Sequence, residues 1–106
     1  MSRCFSILEL PVAEGAEDAF ARRFAELRIF ETAGRPGGLL AARLLRPEAP
    51  DRPFYVVAEW DAPESYRAWL ADPERARVNA PLAPLLAREA RGSLYGVSLA
   101  FEQERT

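Results

Sequence analysis

One hundred and six residues, 49% apolar and 28% charged, make an ordinary globular chain that buries roughly two thirds of its unfolded surface without staples. A net charge of −2, with all 14 basic residues arginine and scattered, leaves no basic stripe to track a phosphate backbone, so no nucleic-acid partner is expected. A single cysteine, Cys4, and no histidine exclude an internal disulfide and argue against a metal site built from protein groups.

No apolar run reaches the ~18 residues that cross a bilayer, and MSRCFSILELPVAEG carries no export signal. The reading is therefore a cytoplasmic chain with no membrane partner. The absence of lysine also removes any Schiff-base chemistry.

RCFSILEL, residues 3–10, has the composition of a strand and stops at Pro11. From Glu14 the apolar period lengthens: Ala16, Phe20, Phe24, Leu27 and Phe30 recur every three or four positions opposite Arg22, Arg23, Glu26 and Glu31, which predicts one amphipathic helix ending at Gly34. RPGG then turns the chain. LLAARLLR, 39–46, and FYVVAEW, 54–60, flank a Pro- and Asp-rich loop and predict an antiparallel hairpin. Asp61 is placed to cap a second helix with Pro63 in its first turn and Glu64 at its third position, so that Tyr66, Trp69 and Leu70 share a face. Asp72-Pro73 repeats the signal, and Pro81 and Pro84 break the helical segment that follows. SLYGVSLAF, 93–101, is the last predicted strand, and EQERT is a solvated end.

The order β-α-β-β-α-β is that of a ferredoxin-like α+β domain with a four-stranded antiparallel sheet, a single domain over 1–106. Alternation places Phe54, Val56, Ala58 and Trp60 on one side of strand three and Tyr55, Val57 and Glu59 on the other. In strand four Leu94, Gly96, Ser98 and Ala100 oppose Tyr95, Val97, Leu99 and Phe101. Both faces are apolar while the helices cover only one, so a second copy is expected on the open face, in a two-fold homodimer.

The EGAEDAFARRFAEL helix, the R-P-G-G turn, the EWDAPESYRAWLADPERA block, the APLAPLL segment and the last strand resemble the antibiotic-biosynthesis-monooxygenase-like domains of the dimeric α+β barrel superfamily. The likeness covers nearly the whole chain and is most specific over residues 59–76. It implies a homodimer that works without flavin or metal, thus with no cofactor, in secondary metabolism. Its partners would be O2 and a polycyclic aromatic, phenolic or quinol-type small molecule. The substrate is deprotonated, gives an electron to O2, recombines to a hydroperoxide and loses water to form a quinone. Such a reaction needs a dry pocket with donors near the nascent oxyanion.

By the same resemblance, Trp60 stands at the strand-three tryptophan of the family and Tyr66 at a tyrosine that some members use as a donor. Asn79 falls where haem-degrading members have a histidine, and Arg77 lies near an arginine of the quinone-forming members. Leu8 and Val56 occupy positions where other members carry asparagines. The candidate catalytic set is Trp60, Tyr66 and Asn79, with Trp69, Val56, Leu8 and Arg77 as substrate contacts. Each also has a plain structural reading: Trp60 and Trp69 as core anchors, Tyr66 as a core residue with its hydroxyl at the rim, Asn79 as a helix-end group bonding backbone, Arg77 as a solvated side chain. Cys4 reads as a small buried hydrophobe, and Arg43 and Glu59 as a cross-strand pair. The loss of both asparagines keeps open an alternative, a dimer without oxygenase activity that binds a small molecule or acts as a cyclase-like partner in a biosynthetic pathway.

Overall fold

A computed structural model describes residues 3–104. Its strands are β1 (Cys4–Leu10), β2 (Leu39–Leu45), β3 (Phe54–Trp60) and β4 (Arg91–Gly96), and its helices are α1 (Glu17–Glu26), α2 (Ile29–Gly34), α3 (Pro63–Ala71) and α4 (Pro73–Asn79). The strands form one antiparallel sheet in the order β2-β3-β1-β4, which is the ferredoxin-like arrangement expected. Strand three spans the predicted residues, and its burial alternates without a break: Phe54, Val56, Ala58 and Trp60 are buried and Tyr55, Val57 and Glu59 half-buried. That alternation is the strand's period of two, read out as inside and outside.

The predicted single helix after Glu14 is two. Arg28 adopts a left-handed conformation, φ 53° and ψ 45°, between α1 and α2, which costs a non-glycine residue roughly 1–2 kcal/mol. The kink brings Ile29, Thr32 and Ala33 into the core along a new face at i, i+3 and i+4. In a straight continuation of α1 that line would have been set by Leu27 and Phe30. Thr32 holds the junction by donating from both its hydroxyl and its backbone N–H to the Arg28 carbonyl, at 3.0 and 3.1 Å.

Asp61 does not cap α3. The N-cap is Ala62, with no side-chain bond to the helix start, and the Asp61 carboxylate accepts from the Ser65 hydroxyl instead, at 2.5 Å. Asp72 does cap, accepting from the Glu74 N–H at 2.9 Å at the start of α4. Beyond Asn79 the chain tightens to a 3-10 helix over Ala80–Leu85 that carries Pro81 and Pro84. Gly38 is required by a close approach: a Cβ there would collide with the Ser65 side chain, where α3 starts against the entry to β2.

The last strand is shorter than predicted. It occupies Arg91–Gly96, and residues 97–104 continue without joining the sheet. Val97, Leu99 and Phe101 are 50%, 92% and 84% exposed, in phase with the 53%-exposed Tyr95. Residues 102–104 are exposed, as the expectation of a solvated end has it; 105 and 106 lie outside the described residues. Arg43 faces Val57 across the ladder, and Glu59 pairs with Arg3 at 3.4 Å, so the predicted Arg43–Glu59 pair does not form.

The core lies between the sheet and the helices. Phe20 from α1 and Phe54 from β3 are fully buried and meet edge to face with ring centroids 5.1 Å apart. Cys4 is buried as expected, and desolvation pushes its thiol pKa up against a smaller opposing pull from Arg67. No helix among the described residues is long and apolar enough to cross a membrane.

Candidate functional site

The helices do not fill the whole of the covered sheet face. A cavity of about 220 Å³ lies between them and β1, β2 and β3. Its walls are mainly apolar, with Leu8 and Leu10 from β1, Val56 and Ala58 from β3, Ile29 and Phe30 from α2 and Trp69 from α3. Ser6, Trp60, Tyr66, Arg75 and Asn79 converge on it from β1, β3, α3 and α4. No acidic residue lines the cavity among the described residues, and no described group of acidic or cysteine side chains is arranged to hold a metal ion.

Trp60 is 3% exposed, and its indole N–H donates to the Ser6 hydroxyl oxygen at 2.9 Å. The ladder explains the pairing: Trp60 stands opposite Cys4 and Ser6 opposite Ala58, so Ser6 and Trp60 are diagonal neighbours on one face, within reach of a large aromatic side chain. Tyr66 packs its ring edge-on against Trp60, centroids 5.7 Å apart. The Tyr66 hydroxyl reaches β4, where a Cβ on Gly92 would come within 3.2 Å of it. Glycine thus keeps open the space the phenol occupies.

Asn79 sits on the cavity wall but spends one amide hydrogen on the Arg75 carbonyl, at 2.8 Å. Its helix-end role is real, and the amide oxygen stays free for a ligand among the described contacts. Arg75 precedes Asn79 by four residues, one helical turn, and shares its face.

Leu8, Val56, Trp60, Tyr66, Trp69 and Asn79 all line the cavity, whereas Arg77 does not. Arg77 is held on the outer side of α4 by a bidentate contact with Glu74, whose carboxyl it draws below the usual range while its own guanidinium is held above. Arg75, two residues earlier, is the cation of the site and forms no ion pair among the described residues. Sequence reasoning missed Arg75 and Ser6. The i, i+4 relation to Asn79 is a signal for the first. For the second it is a lone hydroxyl on the even-numbered, inward face of β1, among Cys4, Leu8 and Leu10.

The fold recurs in solved structures. SnoaB, a cofactor-independent oxygenase from Streptomyces nogalater, superposes with a TM-score of 0.80 at 21% identity, covering 97% of this chain and 100% of its own. The heme-degrader MhuD from Mycobacterium tuberculosis, with two hemes bound in its active site, gives 0.74 at 27% identity over 93% and 99% of the two chains. A conserved protein from Methanosarcina mazei gives 0.72 at 16% identity over 90% and 92%. No curated protein matches the chain. The family model described as antibiotic biosynthesis monooxygenase matches residues 5–80, a span that runs from the second residue of β1 through α4 and holds every polar group of the cavity: the chain belongs to the antibiotic biosynthesis monooxygenase family.

Proposed function

We propose that this protein is a cofactor-independent monooxygenase that converts a flat, electron-rich phenol, anthrone or quinol to a quinone in the cavity beneath Trp60. The observation that carries the reading is the cavity itself: mainly apolar walls, into which the Ser6–Trp60 pair, Tyr66, Arg75 and Asn79 bring a few polar groups. Apolar pockets with a few convergent polar groups are where small ligands bind.

In that site Arg75 offsets the negative charge of the deprotonated substrate, and Tyr66 donates to its oxygen. With no histidine in the chain and no described acidic side chain on the cavity wall, the proton leaves to water, helped by the Arg75 charge. For an anthrone, the substrate anion passes an electron to O2 and the resulting radicals join as a hydroperoxide at the ring methylene. One oxygen atom stays as the new carbonyl, and the other leaves as water with the two methylene hydrogens.

A volume of about 220 Å³ is below the ~300 Å³ at which ordinary ligand pockets begin, which suits a small planar ring system. The chain has no histidine to offer a haem iron.

We further infer a homodimer in which the open sheet face and residues 97–101 are covered by the partner. Supporting it are the exposed side chains of Tyr95, on β4, and of Val97, Leu99 and Phe101, which follow it at every second position. Apolar surface of that extent marks an interaction site.

A second reading, a ligand-binding or cyclase-like dimer, is favoured by Leu8 and Val56, both apolar and both on the cavity wall. Oxygen uptake by metal-free protein with a panel of anthrones and dihydroxynaphthalenes decides between them. Uptake well above buffer autoxidation that falls in Tyr66→Phe and Trp60→Phe, with the fold intact by circular dichroism, is expected. Binding of the same aromatics by tryptophan-fluorescence quenching without uptake would leave the second reading standing.

A further inference from the structure

We propose that the Ser6 hydroxyl, polarised by the indole of Trp60, donates directly to the ionised oxygen of the aromatic ligand, beside Tyr66. This rests on the cavity being the substrate site. Ser6 is 6% exposed and lines the cavity. A serine hydroxyl has one proton to give and two lone pairs to fill. The Trp60 N–H, 2.9 Å away, fills one lone pair, and among the described hydrogen bonds Ser6 appears only as an acceptor.

Trp60 has a single N–H, already directed to Ser6, so it serves the ligand through the hydroxyl. A donor that itself accepts a hydrogen bond is strengthened by it, the more so in a dry interior. The hydroxyl is also held in place. Ser6 sits in mid-strand, paired with Ala58 on one side and Leu94 on the other, so its backbone is fixed by two ladders before a ligand arrives. The ligand class that completes this pair carries a phenolic or enolic oxygen directed at β1 and β3, and it is bound more tightly ionised than neutral.

The test is a spectrophotometric titration of a dihydroxyanthrone bound to the wild type, Ser6→Ala, Ser6→Thr and Trp60→Phe, with oxygen uptake recorded in the same samples. Bound to the wild type, the probe ionises at lower pH than when free. Ser6→Ala is expected to raise that pKa by about one unit, a tenfold loss of preference for the anion. Ser6→Thr, which keeps a hydroxyl, restores it. Trp60→Phe gives a smaller rise, and it carries the test should Ser6→Ala not fold.

An unchanged pKa in Ser6→Ala, or a threonine variant that behaves like alanine, overturns the proposal. A Ser6-dependent pKa with no oxygen uptake upholds the hydroxyl donor and removes the oxygenase reading. Uptake with a Ser6-independent pKa does the reverse. A wild type that does not bind the probe removes both.

Discussion

On the helix side of the sheet Phe54 is fully buried, Val56, Ala58 and Trp60 nearly so, and a cavity remains beside them. On the opposite side Phe5, Ile7, Tyr55 and Val57 are only half-buried, and Tyr95 is 53% exposed. Both sides carry apolar side chains at a period of two, with Arg43, Glu9 and Glu59 among them on the uncovered side. What separates them is cover. The chain supplies helices to one side, where an incomplete fit creates a site. The other side is left with an exposed apolar surface, the one proposed above to receive a second copy. A face can therefore be read as apolar from alternation alone, while whether it becomes core, cavity or interface depends on what is brought against it.

The sharpest way to break this comparison is to charge the uncovered side. Leu99→Asp with Phe101→Asp changes residues that are 92% and 84% exposed, so the subunit's own fold should lose no more than about 0.5 kcal/mol per site. Light scattering after size exclusion is expected to show the dimer replaced by monomer. A variant that stays dimeric places the interface elsewhere.

On the covered side the expected effect is on folding. Phe54→Ala removes a fully buried ring that meets Phe20 edge-on and should cost about 3–5 kcal/mol, read as a fall in urea midpoint. A cost below about 1 kcal/mol would show that the site collapses around the lost ring.

Arg75 and Arg77 divide the two environments within one short helix. Arg75→Ala, at the cavity, is expected to lower kcat/KM for an anthrone roughly 10–100-fold, since hydrogen bonds and contacts to a charged partner carry about 1.5–3 kcal/mol. Arg77→Ala, on the solvent side with Glu74, is expected to leave it unchanged. Equal losses in both would mean that α4 is rotated from the orientation described.

The smallest effect concerns Cys4. Burial raises its thiol pKa above the ordinary 9.0, so the folded state holds the proton more tightly than the unfolded state does. The resulting stability is fully present below about pH 9 and is lost as the pH rises through the higher folded value. Urea midpoints of the wild type should therefore fall faster than those of Cys4→Ala above about pH 9. Parallel curves would show the thiol to be hydrated.

The chain order of strands and helices, the limits of β3, the inward set Phe54, Val56, Ala58 and Trp60, and the family resemblance were all legible in the amino-acid sequence. Periodicity, proline and capping signals are local, and they survive folding wherever tertiary contacts agree with them. Aromatic and amide members of the candidate site were legible too, because they lie in the segment with the densest motif, residues 59–76, or a few positions past it.

Three features needed the tertiary structure. Arg28 breaks the first helix because burying Ile29, Thr32 and Ala33 against the sheet outweighs a strained backbone, a balance no local pattern records. Arg75 rather than Arg77 reaches the cavity because α4 is oriented by Val78 packed into the core, and two positions along a helix turn a side chain to the other side. Ser6 joins Trp60 only through the register of β1 on β3, across 54 residues of sequence. The sequence alone determined which residues are apolar, aromatic or charged and how they repeat, since those are properties of single residues and near neighbours. Only the tertiary structure decided which polar groups meet, because a hydrogen bond forms at about 3 Å and that distance is set by strand register and helix rotation, not by spacing along the chain.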